Sequence, residues 1–146
     1  MSLNALERLG ITWNASEHLM LVQQRCKNDC CVATLSMYSN EDYAKLLDLF
    51  DGHDFESVGL TEDQITNAMK KINSKSVHIY HDRFPLGQKA VLIVKSLNVE
   101  GAFHCVFWNG YEVLDPLTGR KDKKTYTTQD LLTNLTQFKS AIFQLD

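Results

Sequence analysis

Apolar residues recur at helical spacing in the first half of the chain and at strand spacing in the second. From Cys30 to Tyr38 nearly every position is apolar or small, with Val32, Ala33, Leu35 and Met37 among them. This predicts a short helix buried on most sides. Asp29 precedes it as an expected N-cap, its carboxylate accepting from a free N–H of the first turn. Asn40 is expected to cap a second helix, on which Tyr43, Ala44, Leu46, Leu47 and Phe50 form the apolar face and which Asp51-Gly52 ends. Thr61-Glu62-Asp63-Gln64 reads as a capping box opening a third helix that carries Ile65, Ala68, Met69 and Ile72. Strand-like runs follow at residues 77–81, 89–97, 103–108, 111–115 and 140–145, with a short helix from near Thr128 between the last two. Helices first and an antiparallel sheet second predict the α+β class.

Trp108-Asn109-Gly110-Tyr111 is the sharpest local signal. Asn-Gly between strand-like runs favours a type I′ turn, which needs positive φ at both central residues. A two-residue loop there pairs Trp108 with Tyr111 and sets His104 directly opposite Asp115. Cross-strand partners have Cβ atoms about 4.5–5.5 Å apart on one face. An imidazole and a carboxylate so placed share a hydrogen bond that fixes the tautomer. The same geometry also serves as a plain structural contact. By parity Trp108 and Tyr111 share that face, either shielding the pair or packing in the core.

The chain has 146 residues and a net charge of −3, which predicts one domain, residues 1–146, and no nucleic-acid partner. Its longest uninterrupted apolar run, Ala90-Val91-Leu92-Ile93-Val94, is too short to span a bilayer. Glu7 and Arg8 fall where the apolar core of a secretory signal would lie. Three of the four cysteines, Cys26, Cys30 and Cys31, lie within six residues, and Cys105 stands apart. That spacing is unlike a secreted disulfide framework and predicts a reducing, cytoplasmic setting with thiols kept for chemistry or packing.

Cys30, at the start of the first helix, is the candidate nucleophile. The unpaired N–H groups and positive dipole end of a helix N-terminus favour a thiolate and suit an oxyanion. Cys31, turned about 100° around the helix, is expected to pack. Gln24, six positions before Cys30, offers a side-chain amide for an oxyanion hole, with Gln23 its rival. No metal or other cofactor is expected. Cys105 alternates away from His104 along its strand, Cys30 and Cys31 diverge on their helix, and there is no CxxC pair. His78 and His81 are expected on opposite faces, and Arg120, Lys121, Lys123 and Lys124 form a basic run expected to be solvated.

With Gln24, Asp29-Cys30, His104 and Asp115-Pro116 in this order, the chain resembles the bacteriocin-processing (double-glycine) family of papain-like cysteine peptidases from about Leu21 to Leu145. The matching stretches run from Gln24 to Leu35, from His104 to Phe107 and from Leu114 to Gly119. The resemblance implies a papain-like fold with N-terminal helices packed on an antiparallel sheet. It implies Cys30 as nucleophile, His104 as general base and acid, Asp115 orienting His104, and Gln24 with the Cys30 N–H holding the oxyanion. That family usually has Gly after the Cys, and this chain has Cys31. The expected function is a stand-alone cysteine peptidase acting on a peptide or protein substrate, with cleavage after Gly-Gly a possibility. The alternatives are deamidation or acyl transfer by the same triad, or a non-catalytic protein-binding module on the same scaffold.

Overall fold

The computed structural model describes residues 21–145. Glu7, Arg8 and His18 lie outside them. The elements are helices α1 (Cys30–Ser39), α2 (Tyr43–Leu47) and α3 (Glu62–Ile72), strands β1 (Val77–Tyr80), β2 (Ala90–Lys95), β3 (Phe103–Trp108) and β4 (Val113–Leu114), helix α4 (Thr128–Thr133), and strand β5 (Phe138–Gln144). Single turns of 3-10 helix follow α2 at Asp48–Phe50 and α4 at Leu135–Gln137. All strand pairings are antiparallel, in the order β1-β5-β2-β3-β4. The expected α+β class holds in this form.

Strand β2 lies at the centre, which explains its unbroken apolar run: Ala90, Val91, Leu92 and Val94 are fully buried. Along β3 the alternating side chains meet different layers. Phe107 makes an edge-on contact with Tyr38 of α1, while Trp108 meets Phe84 edge-on and donates from Nε1 to the Pro85 carbonyl at 2.9 Å. Helix α1 therefore lies on one face of the sheet, burying Val32, Ala33 and Leu35 completely. The Thr61–Gln64 capping box forms as expected, with both reciprocal hydrogen bonds in place.

Two expected caps are corrected. Asp29 makes no side-chain cap; its carboxylate turns back to accept from the N–H groups of Arg25 at 2.8 Å and Cys26 at 3.0 Å, and from the Tyr43 hydroxyl. Asn40 closes α1 rather than opening α2. It sits at φ 60°, a left-handed conformation that Asn tolerates, and its N–H bonds back to Ser36.

The hairpin register is also corrected. Trp108 pairs with Val113 and Phe107 with Leu114, so His104 is not directly opposite Asp115, and β4 is two residues long. Asn109 stays out of the positive-φ region that a type I′ turn demands. Its side-chain oxygen instead accepts from the N–H groups of Tyr111 and Glu112 at 2.9 and 2.8 Å, an Asx-type turn. The positive φ falls on Gly110, at 108°, and the turn moves one residue along the chain. Tyr111 becomes a solvent-exposed loop tip, while Trp108 is fully buried.

Candidate active site

Asp115 follows directly after β4 and precedes Pro116, which opens a turn. The shifted pairing sets Asp115 diagonally across from His104. It keeps the two residues on one face, because a slip of two preserves the side-chain alternation. The Asp115 carboxylate is nearly fully buried and has three protein donors. Oδ1 accepts from His104 Nε2 at 2.7 Å and from the Leu117 N–H at 2.9 Å, and Oδ2 accepts from the Tyr126 N–H at 2.9 Å. The donor from Tyr126 was not foreseen, since no local pattern links the two residues.

His104 is itself only 8% exposed. Burial opposes its charged form. Hydrogen bonds to the Asp115 carboxylate and to the Cys30 side chain, together with the charges of both, outweigh burial and push its pKa up to about 10. Nε2 is committed to Asp115, so Nδ1 is the nitrogen left for the sulfur.

Cys30 is the first residue of α1, a helix with no side-chain N-cap. Its Sγ also receives the backbone N–H of Cys105 at 3.4 Å. The sulfur is thus approached by an imidazole and by a strand N–H, both suited to a negative charge. Such a trio can hold a thiolate beside an imidazolium, and a carboxylate keeps that imidazolium in place.

Gln24 is buried beside this trio, in the same cleft. Its backbone N–H bonds to the Pro116 carbonyl at 3.1 Å, and the Arg120 guanidinium donates to its carbonyl at 2.6 Å. Residues 23 and 24 therefore lie along the Asp115–Arg120 turn. The Gln24 amide N–H groups donate to the carbonyls of Cys26 at 3.0 Å and Lys27 at 3.3 Å, and its buried Oε1 has no hydrogen-bond partner among the described residues. Both amide N–H groups are thus committed to the loop backbone. Gln23, its rival, is exposed and donates to the Thr118 carbonyl.

The cysteines depart from expectation. Cys31 and Cys105 form a disulfide, and Cys26 and Cys30 are free. The expectation of reduced thiols throughout, with Cys31 merely packing, is corrected. Divergence around the helix does not keep the sulfurs apart: those of Cys30, Cys31 and Cys105 lie within 4.8 Å of one another. The reason is the crossing of β3 over the start of α1, where Cys30 meets the Cys105 backbone and Cys31 meets its side chain. A signal was present. Each half-cystine directly follows a residue of the expected pair, so bringing Cys30 to His104 brings Cys31 to Cys105. With two of the sulfurs bonded to each other, Cys30 is left as the one free thiol of this group.

The remaining described histidines are engaged elsewhere. His53 meets the Val58 carbonyl at 2.9 Å, His78 stacks on Phe143, and His81 pairs with Glu62 at 3.3 Å.

Cys30, His104 and Gln24 open into a cleft of about 680 Å³. Arg120 and Lys123 of the basic run also line it, joined by Lys27. No helix among the described residues is long and apolar enough to cross a membrane. Neither a comparison with protein-family models nor one with curated proteins finds a match for this chain.

Proposed function

We propose that the protein is a papain-like thiol hydrolase cleaving peptide bonds, in line with the resemblance to the bacteriocin-processing peptidases. The observation that carries the reading is the convergence of three groups: Asp115 binds His104 Nε2 at 2.7 Å, and the free Cys30 thiol lies near enough to the same imidazole to help raise its pKa. Cys30 attacks the substrate carbonyl as a thiolate. His104 then protonates the leaving amine, and a water activated by the imidazole clears the acyl-enzyme. Asp115 holds the ring in the tautomer that leaves Nδ1 for the sulfur.

The oxyanion falls to the Cys30 N–H and to the Gln24 amide, since the N–H groups of Val32 and Ala33 already bond to the Asp29 carbonyl. For Gln24 this requires movement. A developing negative charge must draw one amide N–H away from the Lys27 carbonyl, the longer of its two bonds. Deamidation and acyl transfer share the acyl-enzyme step and belong to the same reading, with a different acceptor or leaving group. The reading does not depend on the expected cytoplasmic setting, which the Cys31–Cys105 bond opposes, since disulfides persist mainly in oxidising compartments.

Incubation with a proteome-derived peptide library, followed by sequencing of new termini, tests the reading. New termini with a shared cleavage motif are expected, and Cys30→Ala is expected to abolish them. No new termini, or cleavage that survives Cys30→Ala, overturns it.

A further inference from the structure

We propose that the Cys31–Cys105 disulfide is the clamp that positions Cys30 against His104, so that the reactivity of Cys30 depends on the oxidised state of its neighbours. This rests on the reading of Cys30 and His104 as a working pair. The bond joins the residue after Cys30 to the residue after His104, and holds their Cα atoms 5.2 Å apart. It therefore ties the first turn of α1 to the start of β3, the two backbone sites that carry the pair. The backbone N–H of Cys105 itself reaches Cys30 Sγ at 3.4 Å, so one clamp residue touches the reactive sulfur directly.

Strand pairing at this junction is one-sided. Among the described residues, strand β4 pairs with β3 only at Phe107 and Trp108, so residues 103–106 of β3 are strand-paired on the β2 side alone. Helix α1 begins without a side-chain cap. The disulfide supplies the cross-link that the short β4 does not. All three sulfurs belong to buried residues within 4.8 Å of one another, so cutting the bond also places two new thiols beside Cys30. Those thiols compete for the imidazole and for the Cys105 N–H.

An external dithiol such as dithiothreitol cuts the bond with balanced chemistry. Two electrons and two protons pass from the dithiol to the Cys31 and Cys105 sulfurs, and the dithiol closes to its own disulfide. Cys31 and Cys105 are thus positioning residues, and the enzyme is expected to lose activity in reductant.

The test is the rate of Cys30 alkylation by iodoacetamide across pH, followed by peptide mapping. It compares the oxidised protein, the dithiothreitol-reduced protein freed of reductant, and the Cys31→Ser/Cys105→Ser double variant. The oxidised protein is expected to alkylate rapidly at pH 6. Both other forms should react about tenfold more slowly there, with their rates recovering at alkaline pH. Reoxidation of the reduced wild type should restore the fast rate, which separates loss of the clamp from misfolding of the variant. On a peptide substrate, kcat should fall with KM little changed. Superimposable pH profiles for the three forms overturn the proposal, as does a non-reducing map that shows Cys31 and Cys105 as thiols. The alkylation profile reads the clamp even without peptide cleavage, so failure of the peptidase reading is told apart from failure of this one.

Discussion

The chemistry of the site turns on the imidazole of His104. Burial alone would make this ring a poor base, because a charged group loses its hydration when it leaves water. Asp115 on one side and Cys30 on the other reverse that balance and bring its pKa to about 10, against an ordinary value of 6.5. The ring is thus charged at neutral pH, ready to donate a proton to a leaving amine. The sign for stability follows. A pKa raised on folding means that the charged ring stabilises the fold in full below pH 6.5, and that this contribution is lost as pH rises through about 10. The thermal midpoint of the wild type should therefore exceed that of His104→Gln by its largest margin below pH 6.5. The margin should shrink steadily towards pH 10, as measured by thermal melts across pH. The His104–Asp115 pairing was legible in the sequence because each residue stands beside a backbone signal, a strand and an Asp-Pro turn, whereas Gln24 stands beside none and its amide is bonded to the loop backbone. The task of Asp29 was not legible. A carboxylate before a helix suggests a cap, and only the folded loop shows that the N–H groups of Arg25 and Cys26 need it more.

At the level of elements, the β3–β4 connection shows what a local rule delivers and what it leaves out. The Asn-Gly pair did mark a tight turn between two strands. The positive φ settled on Gly110 alone, because the Asn109 side chain found two backbone donors from a negative-φ conformation. The register moved by two positions, yet the candidate pair survived, since side chains alternate with a period of two. Gly110 is fixed there for a second reason: a Cβ at this residue would come within 3.2 Å of the Gly87 backbone. Both the positive φ and that backbone contact resist a side chain. Gly110→Ala should cost about 1–3 kcal/mol in a denaturant titration, with lower activity as the β4 end shifts under Asp115. The extents of β3, α3 and its capping box were read closely from the pattern. The short β4 was not, because the shifted turn takes up Tyr111 and Glu112 at one end, and the Asp115 side chain's bonds to the Leu117 and distant Tyr126 N–H groups end the strand at the other.

Across the whole molecule, charge is distributed unevenly. The chain carries a net −3, yet among the described residues no Asp or Glu lines the cleft, while Lys27, Arg120 and Lys123 do. A basic run that reads as a solvated loop in sequence thus sends two members to the site once the Asp115–Arg120 turn folds back along residues 23 and 24. Peptides with Asp or Glu near the scissile bond should be cleaved with a higher kcat/KM than neutral analogues. That preference should weaken as ionic strength rises, since exposed charges are screened over about 8 Å at physiological salt. Lys27→Glu/Lys123→Glu should remove it, and an unchanged preference in that variant would separate specificity from these side chains. All of this depends on the sulfur that opens α1 being the reactive one and owing its reactivity to the imidazole. The most direct measurement is labelling by an epoxysuccinyl peptide at neutral pH without reductant, with the adduct located by mass spectrometry. A single adduct on Cys30 that disappears in His104→Ala is the predicted result. An adduct on Cys26, or labelling of Cys30 that persists unchanged in His104→Ala, would contradict the account.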